Sequence, residues 1–568
     1  YPKDAVQALL DLPEAGAQVS FAGALMENLF SLGDNHWNGG RYAVDWYAHY
    51  RTARGWTNSA GRPRLEPVLV AFHHPIAPLM DAEAFAMELA IQKVLYPEAW
   101  GAGPLSAGYF PAEMCFSERL IPALAAAGVA WAIVPDLHVA RACANYPAQA
   151  NLDNCDPPNR ADQVNSAQTA WTSHQISRGV TLRVPYPYAF TPHRAEHVDP
   201  ATGTVSRIVV VPAANAMSWE EGYGTFGTGG IDAIAGANDP GRPMLILLAH
   251  DGDNAWSGGW SYYHESVGSF SHQAAAAGYT PTTVATYLQH HPVPADDVVH
   301  VEDGGWVNAD GDFGSPQFIN WNWPLVNQAG AFDIPGGWAE DERNWAVLTA
   351  AQNRVATAAA ALGAVDPARV ADPLGGAHAA EAAWHFLLAG YESGYMYYGT
   401  SLDMEVKATL ACNAAVARAD PVVVAGGDAV PPTVWLPQRL PWNPGGYGAG
   451  SLWGYPGGQG APMPRTFHVW TFVHDVSGLA RVELLVRRDR DGANDPATHD
   501  NETYAGGAGV EAWQALPMSR RAMPQGEPWE MASVDFPVLP AHIADEYWAE
   551  VAGFRDVLLD YSVEAADS

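Results

Sequence analysis

Basic side chains are scarce in this chain: 29 Lys and Arg stand against 62 Asp and Glu, a net charge of −33 over 568 residues. Phosphate backbones and anionic membrane surfaces repel such a protein, so nucleic-acid binding is disfavoured and a neutral ligand such as a sugar polymer fits better. The acidity also reads as a solubility device, suited to a salty medium. Long apolar runs are missing as well. No run of about 18 apolar residues is present to span a bilayer, and the longest, such as Met244–Ala249, have the length of buried strands. Nor is there an internal repeat of solenoid period.

Cysteine is sparse, four residues in all, and no Cys/His spacing of a metal-site kind occurs. Cys143 and Cys155 share a Pro/Asn/Asp-rich stretch, 142–160, that reads as a loop. A disulfide there would stabilise it by roughly 3 kcal/mol; two unbonded thiols are the alternative. Cys115 and Cys412 lie in apolar, helical contexts and read as buried single thiols. The chain opens at Tyr1-Pro-Lys-Asp with neither Met nor a signal peptide, in the manner of a processed or truncated product. With the loop disulfide, this sets the expectation of a secreted or periplasmic protein.

What is abundant is apolar and aromatic. The hydrophobic fraction is 48%, with 22 Trp, 23 Tyr and 17 Phe, enough for a large core and rich in rings that stack on sugar faces. From the start to about residue 300, short apolar runs alternate with amphipathic stretches. Ala17–Ala22, Val68–Phe72, Val129–Val134, Arg207–Val211 and Met244–Ala249 read as strands, and Glu118–Ala127 as a helix. That alternation predicts an α/β barrel. Ala-rich segments of helical period, such as Asn344–Leu362 and Ala379–Leu388, fill the region to about 420. A Pro- and Gly-rich loop then runs to Pro464. Beyond it, Thr466–Val473, Ala480–Val486 and Glu546–Ala552 alternate like strands of a β-sandwich. The expected domains are 1–300, a barrel; 301–425, helical and completing the active site; and 426–568, a sandwich of immunoglobulin-like kind.

Three motifs carry chemistry. Glu113, in Gly108-Tyr-Phe-Pro-Ala-Glu-Met-Cys, precedes the helix Glu118–Ala127, where the helix dipole would favour an ionised carboxylate. A first-turn Glu that only complements the dipole is the plainer alternative. His250-Asp-Gly-Asp-Asn-Ala-Trp256 follows the strand Met244–Ala249 directly, the position at which parallel α/β folds gather catalytic groups; a hydrated turn has the same composition. His73-His74-Pro75 follows Val68–Phe72, suited to orient a sugar hydroxyl, bind a metal or cap the strand.

Taken in order, these motifs resemble glycoside hydrolase family 57, in its amylopullulanase and α-amylase branch. Tyr109-Phe-Pro-Ala-Glu113 and Gly128-Val-Ala-Trp131 match the family's Trp-Pro-Ser-Glu-like segment and following strand, with Phe110 in place of the family Trp. Ala249-His-Asp251-Gly-Asp-Asn-Ala-Trp256 resembles Leu-Asp-Gly-Glu-Asn-x-Trp, with Asp253 where the family has Glu. His74-Pro-Ile-Ala-Pro-Leu79 and Gly304-Gly-Trp-Val-Asn308 match two further segments, and Leu388–Leu402 a late one, with Gly394 after Ser393 where the family often has Asp. The family's histidine motif on its opening strand is absent. The resemblance spans roughly residues 1–415.

The resemblance implies an incomplete (β/α)7-type barrel and a retaining glycosidase that cleaves α-glucosidic bonds in an α-glucan polysaccharide or oligosaccharide. It makes Glu113 the nucleophile and Asp251 the acid/base, and gives His73, His74, His250, Asp253, Trp256 and Trp306 to the sugar subsites. A retaining pair stands only ~5–5.5 Å apart, one carboxyl ionised and the other protonated. No cofactor is required. A structural calcium ion is the one metal raised, by Asp489-Arg-Asp-Gly-Ala-Asn-Asp495, for which an acidic hairpin turn is the plainer reading. Three other functions stay open: a 4-α-glucanotransferase or branching-type transglycosylase, a metal-dependent polysaccharide deacetylase, and a non-catalytic glycan-binding protein.

Overall fold

The computed structural model describes residues 7–103, 105–148, 157–175, 181–222, 227–250, 267–306, 318–396, 402–428, 430–444, 447–448, 461–490, 492, 494, 499–529, 538–555 and 557–568. Asp251, Asp253, Trp256 and Cys155 lie outside them.

The first half is a mixed α/β assembly. Strands β1 (Ala17–Val19) and β2 (Leu65–Pro67) pair in parallel, and Leu69, just past β2, bridges to Tyr109 of β3 (Gly108–Tyr109), again in parallel. Next come β4 (Trp131–Pro135) and β8 (Val205–Ala213), parallel to β3 and to each other. Leu247 bridges in parallel to Ala213 at the end of β8. Side chains divide by parity along these strands, as alternation requires. Trp131, Ile133, Val209, Val211, Ala213, Leu245 and Leu247 share one cluster. Their neighbours Ala132, Val134, Ile208 and Val210 face the main core.

One pairing departs from the expected strand–helix alternation. β7 (His193–Val198) runs antiparallel to β8, joined to it by the tight turn at Asp199–Thr204, whose Asp199 carboxylate accepts from the Thr202 N–H. A second hairpin, β5 (Trp171–Gln175) with β6 (Thr181–Pro185), is also antiparallel. The expected strand Met244–Ala249 shows only its bridge at Leu247.

Helices Glu340–Leu362 and Ala379–Ala389 stand where the Ala-rich segments were expected, followed by Leu402–Gly426; the described residues of 301–339 hold no helix. The first carries the acidic residues Glu340, Asp341 and Glu342 in its opening turn; burial pushes the Glu342 carboxyl well above the usual range. The second starts in a reciprocal capping box between His378 and Glu381.

The Pro- and Gly-rich stretch to residue 464 is not all loop: it contains β9 (Thr433–Val434), β10 (Gln438–Leu440), β11 (Tyr447–Gly448) and β12 (Ala461–Pro462). β9 and β10 join β13 (Phe467–His474), which pairs with β17 (Asp545–Val551) and through it with β16 (Ser519–Arg521). The facing sheet is β15 (Gln514–Pro517), β14 (Leu479–Arg488) and β18 (Leu559–Asp567), all antiparallel. Phe467, Val469 and Val551 of one sheet meet Leu484 and Val486 of the other.

A single core crosses all three regions, from Val19 through Trp345 to Phe472 and Ala544. Trp345 stacks on Trp435 at 5.6 Å, and Trp435 on Phe472 at 5.4 Å. Cys115, Cys143 and Cys412 are buried free thiols. With Cys143 a free thiol, the expected Cys143–Cys155 bridge is not made there; Cys155 lies outside the described residues. Among the described residues no helix is long and apolar enough to cross a membrane.

Candidate active site

Glu113 follows the carboxyl end of β3, in a short 3-10 turn, Ala112–Met114. The helical segment it was expected to introduce starts only at Glu118, behind its own Ser117 cap, so the helix dipole does not account for this carboxylate. The hold comes from elsewhere. The Trp306 indole N–H donates to Glu113 Oε2 at 2.8 Å, and the Trp306 backbone N–H donates to the Glu113 carbonyl at 3.1 Å. The Glu113 backbone sits at φ +55°, followed by Met114 at +48°, a region that non-glycine residues occupy only when their surroundings force it.

Residues 302–306, which carry Trp306, are anchored from below. Glu302 is buried and meets the guanidinium of Arg141, with Arg141 Nε 2.5 Å from Oε2 and an NH2 at 3.1 Å from Oε1. Burial alone would raise the Glu302 carboxyl, yet the Arg141 charge and the nearby His138 bring it down to about 2. At 3.7 Å the His138 Nδ1 adds attraction rather than a hydrogen bond. The other ring nitrogen of His138 lies 2.9 Å from the Gly305 carbonyl. Both glycines of this strap are obligatory by close approach. A Cβ on Gly304 would stand 2.1 Å from the His138 ring, and one on Gly305 2.7 Å from Cys115 Sγ and 2.9 Å from the Glu113 carbonyl oxygen.

His73 and His74 follow β2 and the Leu69 bridge, in the turn beyond them, and are treated differently. His73 is pinned: Glu88, fully buried, accepts from its backbone N–H and meets its Nδ1, both at 2.7 Å. That leaves Nε2 as the ring nitrogen for a ligand. His74 has φ +56° and reaches into the helical region, its Nδ1 3.1 Å from the Ser393 hydroxyl. The Ser393 N–H donates to the His74 carbonyl at 3.3 Å, and Pro75 bridges to Glu392. Burial raises the Glu392 carboxyl, opposed by its hydrogen bond from Gly394 and by His74 and His73. The late segment around Ser393 is thus brought onto the His73–His74 turn.

Trp306 is 8% exposed and packs edge-on to Phe110, ring centroids 6.0 Å apart. It presents little open face for stacking and instead orients Glu113. Ala249 packs against the same cluster as Met114 and Trp306. The chain neighbours of Glu113 and of His250–Asp251 therefore converge on one patch of core. His250 is half-buried; Asp251, Asp253 and Trp256 lie outside the described residues.

Asp136, which sequence reasoning passed over, begins the turn after β4 and is 1% exposed. Burial pushes its carboxyl up to about 7 against the pull of backbone N–H groups of Asn215, Leu137 and its own. Its Oδ1 has no hydrogen-bond partner among the described residues. The available signal was an acid placed directly behind a wholly apolar strand. Among the described residues no group of three His, Cys, Asp or Glu is arranged to hold a metal ion. Of the acidic stretch 489–495, Asp489 accepts from the Gly492 N–H and from Asn501; residues 491, 493 and 495 are outside the described set.

No family model matches the chain. It is 29% identical over 647 aligned residues to a protein named alpha-amylase from Niallia circulans, a match taking in 98% of this chain and 49% of that protein. The chain thus spans about half the length of this curated relative. Among solved structures, a 4-alpha-glucanotransferase from Thermococcus litoralis is similar at 13% identity and TM-score 0.43, over 72% of this chain and 53% of that one. A branching enzyme of glycoside hydrolase family 57 from Thermococcus kodakaraensis is similar at 14% identity and TM-score 0.43, over 75% and 86%. At such scores the structural overlaps are likenesses on which nothing is built. The name of the curated relative, alpha-amylase, agrees with the branch that the resemblance names.

Proposed function

From the resemblance to glycoside hydrolase family 57, we propose that the chain is a retaining glycosidase acting on α-glucans, with Glu113 as nucleophile and Asp251 as acid/base. The observation that carries the reading is the treatment of Glu113: a carboxylate at the end of a parallel strand, gripped at its side chain and its carbonyl by Trp306, in a backbone conformation that needs such a grip. Supporting it are the convergence of Ala249 and Met114 on one cluster and the contact of His74 with Ser393. The parallel strands from β1 to Leu247, divided by parity, support an incomplete (β/α)7-type barrel. The two facing antiparallel sheets support an immunoglobulin-like accessory unit at 426–568.

In this mechanism Glu113 attacks the anomeric carbon while Asp251 protonates the departing glycosidic oxygen. Water, deprotonated by the same Asp251, then releases the sugar from Glu113 with its configuration retained. His73, His74 and His250 would bind hydroxyls around the scissile bond. Secretion and a calcium ion at 489–495 belong to the same proposal.

The test is proton NMR of the first product from maltohexaose or pullulan. An initial α anomer, absent in Glu113→Gln and nearly absent in Asp251→Asn, is expected. An initial β anomer would contradict it. Products longer than the substrate would move the activity to transglycosylation, and acetate release from an acetylated polysaccharide, lost to a chelator, would move it to a deacetylase.

A further inference from the structure

A cleft of about 550 Å³ lies between the sandwich, the helical region and the start of the helix Ala82–Trp100. None of Glu113, His73, His74, His250 and Trp306 lines it. Its volume is that of an ordinary small-ligand site. One ring along it, Trp513, is held firmly, and so is the backbone that carries a second, Tyr504. The Trp513 indole N–H donates to the Tyr504 carbonyl at 2.8 Å, and the Arg487 guanidinium lies 4.2 Å over the Trp513 ring. Arg487 is itself fixed by Asp560 at 2.8 Å. The Tyr504 N–H donates to the Pro200 carbonyl at 2.8 Å, tying this turn to the α/β half.

Despite that anchoring, the Tyr504 side chain is 51% exposed. A large ring left in water on an anchored backbone is ready to stack with only its own side-chain torsions left to order. Around it stand groups that hydrogen-bond hydroxyls: Asp81, Asn501, Glu502 and Ser562. The carboxylates Asp81, Glu502 and Asp560 outnumber the one guanidinium of the lining, Arg119, and disfavour an anionic ligand. An exposed ring on a fixed backbone beside carboxylate, amide and hydroxyl groups suits a polyhydroxyl chain.

We propose that this cleft is a second glycan-binding site, which holds an α-glucan segment away from Glu113 and keeps the polymer on the enzyme between cleavages. For its ligand class, the proposal rests on the α-glucan reading above. The experiment is native electrophoresis of the full chain in gels with and without amylopectin, in a Glu113→Gln background so that the polymer survives. Retardation by amylopectin is expected, with an apparent affinity about five-fold or more weaker in Tyr504→Ala. Tyr504→Phe should keep most of it. With Glu113 intact, Tyr504→Ala should hydrolyse maltotriose at the parent rate. Equal retardation of Tyr504→Ala and its parent would overturn the proposal, and so would Tyr504-dependent retardation by polylysine in place of amylopectin. Tyr504-dependent retardation in a chain that cleaves no α-glucan would uphold the cleft and sink the catalytic reading; hydrolysis with Tyr504-independent retardation would do the reverse.

Discussion

Glu113 and His74 share a backbone conformation that few non-glycine residues adopt, φ near +55°. Each such residue stores about 1–3 kcal/mol, tolerated only where neighbours enforce it. Trp306 enforces it at Glu113, and Ser393 closes on His74. Trp306→Phe keeps an aromatic side chain, smaller than the indole, and deletes the N–H donor. A hydrogen bond to a charged group is worth about 1.5–3 kcal/mol, so kcat on maltohexaose should fall about 10- to 100-fold with the fold intact. An unchanged kcat would remove Trp306 from the proposed mechanism. Asp136 makes a different prediction. Its carboxyl ionises near 7 when folded and near 3.8 when unfolded. Between those values the folded state holds the extra proton, so stability falls as pH rises through the window. Glu546, driven by burial up to about 7 despite Arg521, adds a slope of the same sign. Asp136→Asn should therefore flatten, without abolishing, the fall in melting temperature from pH 5 to 8. An unaltered slope would show that Asp136 is ionised in the folded protein.

At the scale of elements, the strap 302–306 joins the turn after β4 to the turn after β3. Removing one member of a buried ion pair strands the other, typically at about 3–5 kcal/mol, so Glu302→Ala should lower the melting temperature markedly and kcat with it. Gly304→Ala drives a methyl into the His138 ring. Combined with His138→Ala it should destabilise by less than the sum of the two single changes; strict additivity in thermal unfolding would deny the contact. These elements also mark how far the sequence could be read. Strands with alternating parity, Ala-rich helices and the sandwich strands all announce themselves through local period, and Glu113, His74 and Trp306 through local motifs. The β7–β8 hairpin was hidden because β7, His-Arg-Ala-Glu-His-Val, is mostly polar and offers no apolar run to read as a strand. β9 and β10 were hidden because two or three residues among prolines show no alternation. The bond from Arg141 to Glu302 spans 161 residues, and the one from Trp306 to Glu113 spans 193. No local pattern records such pairs; only the fold does.

Across the whole molecule, the helix Glu340–Leu362 is the hub. Trp345 stacks on Trp435, and Glu342 accepts from the Trp470 indole at 3.1 Å, so the helical region and the first sandwich sheet share one dry interior. They should unfold together: calorimetry of the full chain should show a single transition for both. A sandwich that melts well apart from the helices would contradict this, and a chain ending at residue 426 should be poorly soluble for the same reason.

The central claim, that Glu113 is the nucleophile, is most directly tested by trapping its sugar ester. The protein would be inactivated with a 5-fluoro-α-glucosyl fluoride, digested with pepsin, and the labelled peptide sequenced by mass spectrometry. A double-displacement enzyme accumulates the slow fluorosugar ester on its nucleophile. The account predicts one fluoroglucosyl group, on Glu113, with none taken up by Glu113→Gln. A label on any other carboxylate would contradict it.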